Sequence, residues 1–240
     1  MTELRRASRT GLAEQVAGHL LRDITEGVYP EGERLPPEPV LAAAAGVSRL
    51  TLREAVKSLA QRGVLRVEQG RGTFVNPATA WLPLDPQLLT SLVRRDHGLA
   101  SQLTEVRSIV EVGAAGLAAK RRGAADLGRM RQALERADEA LVNGDVDAFS
   151  RADIDFHHGV LAAVGNHFVP AMLMPVDGAL QEIRRQTSQD PAASRRALVM
   201  HRRILDAVRR RSSTAAAEAM RRHLDETRRH IEGMTYQTPS

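Results

Sequence analysis

Four side chains able to ligate a metal stand where helical patterning calls for apolar residues. Over 145–164, Phe149, Val160 and Val164 form an apolar stripe, and Asp153 and His157 occupy the stripe positions between them. Their i, i+4 spacing puts both on one helix face, aimed inward. His201 interrupts a second stripe (Leu198, Leu205, Val208), and His223 a third (Ala216, Met220, Thr227, Ile231). Burying a carboxylate and three imidazoles separately is costly. One shared divalent ion satisfies all four, because imidazole nitrogen and carboxylate oxygen suit zinc first, with nickel or manganese as alternatives. A single inward histidine is commonly a satisfied core residue, but an Asp and three His on three inward stripes is a rarer coincidence. The chain has no cysteine, so thiolate sites and disulfides are excluded. His158 points about a quarter-turn away from His157. His167 and His230 are expected at surface or packing positions, and His19 and His97 belong to no constellation.

Arg107 lies in a further stripe, Leu103, Val110, Ala114 and Leu117. An inward guanidinium needs an anionic partner, and its fork of donors suits a carboxylate. Two readings are open: an internal ion pair, for instance with Asp153 or Glu111, or the carboxylate of a bound small molecule.

A different chemistry stands near the N-terminus. Arg49, Arg53, Lys57, Arg62, Arg66 and Arg71 face only Glu54 and Glu68 over 49–71, a local cationic excess of the kind that meets nucleic acid. A short helix from about Glu38 to Ala45, a turn at Gly46 and a second helix capped by Ser48 make the frame of a helix-turn-helix. The second helix would present Ser48, Arg49, Leu50, Thr51 and Arg53 to a duplex, while Leu52, Val56 and Leu59 seat it on its own domain. Leu65 and Val67, then Gln69-Gly70-Arg71-Gly72, then Thr-Phe-Val read as a small β-hairpin whose tip brings Gly70 and Arg71 to phosphate or the minor groove. A solvated basic helix on an ordinary domain has the same spacing.

The positioning elements are almost all helical. The chain has 240 residues, 42% hydrophobic and 26% charged, with 3% aromatics and a net charge of +5. That is room for two modest domains rich in helix formers. A first helix is expected over 11–27, from Leu12, Val16, Leu20 and Ile24. Asn76 to Pro86 contains three prolines and breaks every period, so 77–85 reads as a linker. Helices are expected over roughly 86–96, 99–121, 124–143, 145–164, 166–187, 194–211 and 214–232. The expected fold is thus mostly α: an N-terminal winged helix-turn-helix (1–76, with 1–10 a basic arm carrying Arg5, Arg6 and Arg9) and a C-terminal antiparallel helical bundle (86–233), then a short tail. No apolar run reaches membrane-spanning length and no signal core follows the first ten residues, so a cytoplasmic protein without membrane partners is expected.

Residues 12–75 resemble the winged-helix domain of the GntR family of bacterial regulators: the LP-x-E element at Leu35–Glu38, GVSR-x-x-x-RE at Gly46–Glu54, and the wing ending in GTFV at Gly72–Val75. The resemblance implies DNA contacts by Arg49, Thr51, Arg53 and Gly70, with Ser48 on the backbone. One departure is Pro39, where the family has a basic residue. Proline fits the first turn of a helix but cannot make that phosphate contact. Roughly 85–232 resemble the ligand domain of the FadR branch, of the FCD type, through LTEVRSIVEVGAAGLAA, D-x-x-FH, H-x-x-ILDAV and M-x-x-H. This implies Asp153, His157, His201 and His223 as metal ligands, and small organic acids as effectors, held at the metal and by Arg107. Asn166 has an implied structural or ligand-polar role. The segment Trp81–Pro86 resembles regulators of sugar-acid metabolism.

The expectation is a homodimeric repressor on a palindromic double-stranded operator, released by a small carboxylate. Two rivals are a metal-dependent enzyme using the Asp/His3 set, disfavoured because no further inward acid or base stands beside it, and a regulator whose signal is the metal itself.

Overall fold

The computed structural model describes residues 9–81, 86–94 and 96–234, with only the backbone of Arg9, Thr10 and Gln87. Arg5 and Arg6 of the basic arm, residues 82–85 of the expected linker and the tail from 235 lie outside the described residues. The chain divides into two compact units, residues 1–91 and 92–240.

In the first unit α1 (Arg9–Thr25) and α2 (Glu38–Ala44) both pack on α3 (Arg49–Gln61), and α3 packs on β1 (Leu65–Glu68). Val16, Leu20 and Ile24 of α1 are buried, whereas Leu12, expected in the same stripe, is 47% exposed at the start of the helix. Leu52, Val56 and Leu59 carry the inward face of α3, as its patterning predicts. Pro39 stands in the first turn of α2, where its missing amide costs nothing. Antiparallel pairing of β1 with β2 (Gly72–Val75) sets Leu65 opposite Val75 and Glu68 opposite Gly72. Residues 33–35 add a third edge that sequence patterning did not reveal: Leu35 N–H donates to Thr73 O at 2.9 Å and Val75 N–H to Glu33 O at 3.0 Å.

The stretch expected as linker begins with structure. Ala78–Ala80 form a 3-10 turn, and the buried Trp81 donates its indole N–H to Asn76 O at 3.0 Å. A large aromatic surface with one polar atom satisfied is cheaper to bury than to expose. Gly63, which ends α3 at φ +77°, sits so close beneath the Ala80 carbonyl that any Cβ there would collide with it.

A short helix, α4 (Pro86–Val93), spans the division between the units. The second unit is all helix: α5 (His97–Arg121), α6 (Ala124–Asn143), α7 (Val146–Ala162), α8 (Phe168–Leu173), α9 (Asp177–Thr187), α10 (Pro191–Arg209) and α11 (Ser213–Met234). Aspartates start three of them, Asp96, Asp145 and Asp190 each accepting a first-turn amide at 2.8 Å. The single helix expected over 166–187 is broken into α8, a 3-10 turn at Met174–Val176, and α9. Pro175 explains the break, since it has no amide to continue the ladder and its ring clashes with the preceding turn. α5 packs on α11, α7 and α10; α6 packs on α7 and α10; α7 also packs on α9. The inner faces of α5, α7, α9, α10 and α11 therefore supply one interior, and the polar stripe residues meet there.

Candidate metal centre, acid cleft and nucleic-acid surface

His157 on α7, His201 on α10 and His223 on α11 are buried and converge on one point. His201 Nε2 lies 3.1 Å from His223 Nε2, which lies 3.3 Å from His157 Nε2. Ligands about 2.0–2.1 Å from one ion lie about 2.9–3.4 Å apart at tetrahedral or octahedral angles. Three imidazole nitrogens at these separations suit a shared cation better than one another. Asp153, one turn before His157, brings Oδ1 to 3.5 Å from His201 Nε2 and Oδ2 to 3.9 Å from His157 Nε2. The structure thus brings together all four residues that the stripes singled out, although the closest set is the three histidines.

A further buried acid, Glu111, stands beside the cluster, contrary to the expectation that no inward acid or base accompanies the four. Its Oε2 is 2.5 Å from His157 Nδ1, which places the His157 proton on Nδ1 and leaves Nε2 as a lone pair facing the cluster. Burial, and then the neighbouring His201, hold His223 well below the usual imidazole range. Burial pushes His201 down to about 3, with Asp153 opposing, and His157 is lowered by burial against the pull of Glu111. All three rings are therefore neutral, as ligands must be. Burial raises the carboxyls of Asp153 and Glu111, but nearby cations outweigh it, Arg184 foremost at Asp153 and Arg107 at Glu111, so both are held ionised. His201 Nδ1 is buried with no hydrogen-bond partner among the described residues.

Arg107 takes the internal pairing: Nε donates to Glu111 Oε1 at 2.8 Å, and Nη2 reaches Oε2 at 3.4 Å. The inward face of α5 runs Leu103, Arg107, Glu111, Ala114 and Ala118, all buried. Leu117 is exposed and Val110 only half-buried, a correction to the expected stripe, because both sit beside that face and not on it. Arg107 also lines a cleft of about 520 Å³ of empty space, partly open to solvent, together with Asp153, His223, Arg184 and Thr227. Arg184, on α9, was not found from the sequence. It is buried and ion-paired with Asp153. The signal was there, since Arg184 follows Leu180 by four positions on the buried stripe while its neighbour Arg185 points outward.

Asn166 does not reach the cleft. It is exposed, and its Oδ1 accepts from Phe168 N–H at 3.0 Å just before α8. His158 is part-exposed and faces Asp177 at 3.1 Å. His230, expected as a surface or packing residue, stands on the lining of the cleft.

On the first unit, Ser48 Oγ accepts from Thr51 N–H at 3.1 Å and contacts Thr51 Oγ1 at 2.8 Å, fixing the start of α3. Arg49 and Arg53 are exposed beside it, and Arg53 keeps only a loose 3.3 Å ion pair with Glu38. Gly70 has φ +75° at the exposed hairpin tip, and Arg71 is solvent-facing against Glu68 at 2.7 Å. Leu50, expected with them at the groove-facing start of α3, is 57% exposed there, where an apolar side chain can meet a thymine methyl.

Two family profiles match the chain: "Bacterial regulatory proteins, gntR family" over residues 12–75 and "FCD domain" over residues 102–226. The galactonate operon transcriptional repressor of Escherichia coli K12 is 30% identical over 218 residues, covering 89% of this chain and 94% of its own length. The regulator LutR of Bacillus subtilis is 30% identical, with 84% and 92% covered. Among solved structures, the Listeria monocytogenes regulator titled "Lar controls the expression of the Listeria monocytogenes agr system and mediates virulence" aligns with TM-score 0.68 at 16% identity, covering 97% of this chain and 100% of that one. A putative GntR regulator from Rhodococcus sp. RHA1 aligns with TM-score 0.53 at 24% identity, with 92% and 97% covered. These last two speak to the fold.

Proposed function

Because the chain belongs to the GntR family of bacterial transcription regulators and carries an FCD domain, we propose that it is a repressor whose hold on operator DNA is released by a small organic acid bound beside a divalent metal. The observation that carries this reading is the convergence of three neutral imidazole nitrogens and one ionised carboxylate, of which His223 and Asp153 also line a cleft walled by buried arginine. His157, His201, His223 and Asp153 would hold the ion, zinc first, with nickel and manganese as the alternatives to assay. A metal bound there supplies a Lewis-acid anchor for a carboxylate or hydroxyl oxygen. Arg107 orients a carboxylate, Glu111 holds the His157 proton on Nδ1, and the surrounding helices keep bulk water from the imidazoles.

The acid class is suggested by the lining, where Thr187, Ser188, Ser194 and Thr227 stand; the hydroxyls of Thr187, Ser194 and Thr227 donate to backbone carbonyls and keep their oxygens as acceptors for a ligand hydroxyl. A hydroxylated acid such as a sugar acid matches it, and the similar Escherichia coli protein is named for galactonate. Arg49, Thr51 and Arg53 on α3, with Gly70 and Arg71 at the hairpin tip, form the DNA-reading set, while Ser48 holds the start of α3 and faces the backbone. Two copies would read a palindrome. Val106, Ile109 and Leu117 form an exposed apolar stripe along α5 that suits a second copy of this chain, and sedimentation of the full chain checks that it is a dimer.

The test is a screen of organic and sugar acids against the zinc-loaded full chain. It is followed by binding to a duplex that the protein itself selects from a random pool. An acid that raises the melting temperature is expected to weaken duplex binding, and Arg49→Ala or Arg53→Ala is expected to abolish sequence selection. Consumption of the acid, or DNA release by metal activity alone, would instead favour an enzyme or a metal sensor.

A further inference from the structure

Two buried guanidiniums, not one, line the cleft beside the histidine cluster. Arg107 is fully buried and Arg184 is 5% exposed. They come from different helices, α5 and α9, and each is committed to one carboxylate, Arg107 to Glu111 and Arg184 to Asp153. Neither spends its whole fork. Arg184 faces Asp153 through Nε as an ion pair without hydrogen-bond geometry, and no described residue accepts from its two terminal nitrogens. Arg107 uses Nε and Nη2, and no described residue accepts from its Nη1. A cation with unspent donors on the wall of a cleft partly open to solvent can take a further anion, since guanidinium donors pair best with carboxylates.

The charge count points the same way. The buried ion pairs beside the cluster, Arg107 with Glu111 and Arg184 with Asp153, cancel, and imidazole binds a metal as a neutral ligand. The other charges at the cleft, Arg196 and Glu226, are paired with each other at 3.0 Å. A divalent ion on the histidines therefore leaves two positive charges uncompensated in the interior, where unpaired charge is costly. A monocarboxylate cancels one of them and a dicarboxylate cancels both.

From the two arginines and this balance we infer that the effector is a small dicarboxylate, one carboxylate going to the Arg107 side and the other to Arg184. The inference rests on the reading of the cleft as an acid site and narrows its ligand to the diacid class. Arg184 is then a specificity-determining residue, and the hydroxyls of Thr187, Ser188, Ser194 and Thr227 favour a hydroxylated chain between the two ends.

The experiment uses pairs of acids matched in hydroxylation and differing in the second carboxylate: lactate against malate, and galactonate against galactarate. Each is titrated calorimetrically into the zinc-loaded full chain and into Arg184→Gln and Arg184→Lys variants whose zinc content has been measured. The diacid of at least one pair is expected to bind tenfold or more tightly than its monoacid. Arg184→Gln is expected to shrink that preference by tenfold or more, and Arg184→Lys to restore part of it. Monoacids binding as well as their diacids, or Arg184→Gln weakening both members of a pair equally, would overturn the diacid assignment and leave the acid-site reading standing. Binding of no acid of either kind would sink both. Should Arg184→Gln fail to fold, the wild-type pairs decide the matter by themselves.

Discussion

Glu111 and Arg107 stand four residues apart on α5, and together they set the state of His157 before any ligand arrives. Arg107 keeps Glu111 ionised, and Glu111 in turn takes the His157 Nδ1 proton. Outer partners of this kind tune affinity without touching the metal. Glu111→Gln is therefore expected to weaken zinc binding about 10–100-fold, read by competition with a chelating dye; an unchanged affinity would remove Glu111 from this role. The same burial that frees the lone pairs makes the metal-free protein sensitive to acid. Free imidazole titrates near 6.5, and His201 in the fold is pushed down to about 3. Between those values the unfolded chain binds protons that the folded chain does not. Stability of the metal-free protein is thus full above about pH 6.5 and declines as pH falls toward about 3. Each of the three histidines contributes up to about 1.4 kcal/mol per pH unit within its own window. Urea unfolding of chelator-treated protein at pH 7.5 and 5.5 checks this, with a lower midpoint expected at 5.5.

At the scale of elements, the sequence was most legible where local chemistry and long-range packing agree. Ser48, Gly46 and the stripe Leu52, Val56, Leu59 place α3 unambiguously, and Asp153 and His157 declare themselves by interrupting an otherwise apolar face of α7. Legibility failed where the decisive partner is remote or the helix is interrupted. Pro175 splits 166–187 although apolar residues continue through it. Arg184 hid in an Arg-Arg doublet, because which of two adjacent arginines turns inward depends on the start of α9. Leu117 read as core although it lies beside the buried face of a long helix. The third edge at 33–35 has no strand-like pattern, since it is short, tied by backbone hydrogen bonds, and buries only Leu35. The join between α3, the hairpin and the 78–80 turn depends on Gly63, whose left-handed φ and contact with the Ala80 carbonyl exclude a side chain. Gly63→Ala is expected to cost about 1–3 kcal/mol of stability in the first unit. Thermal unfolding should show the loss, with zinc content unchanged because the metal residues belong to the other unit.

For the whole molecule, the proposed control is a linkage between acid binding and DNA binding. An acid can weaken DNA binding only by binding more tightly to the arrangement that does not hold DNA. A hundredfold release requires about 2.7 kcal/mol of such coupling, the same in both directions. The histidine cluster is where the proposed coupling would begin, because it joins α7, α10 and α11 at one point. The most direct measurement is the affinity of the zinc-supplied full chain for its selected duplex, titrated with the best-binding acid, in wild-type and His201→Ala protein. The wild-type protein is expected to release DNA as acid is added, and His201→Ala, with reduced zinc content, to keep its DNA at every acid concentration. Equal release in both proteins, or full zinc content in His201→Ala, would contradict the account.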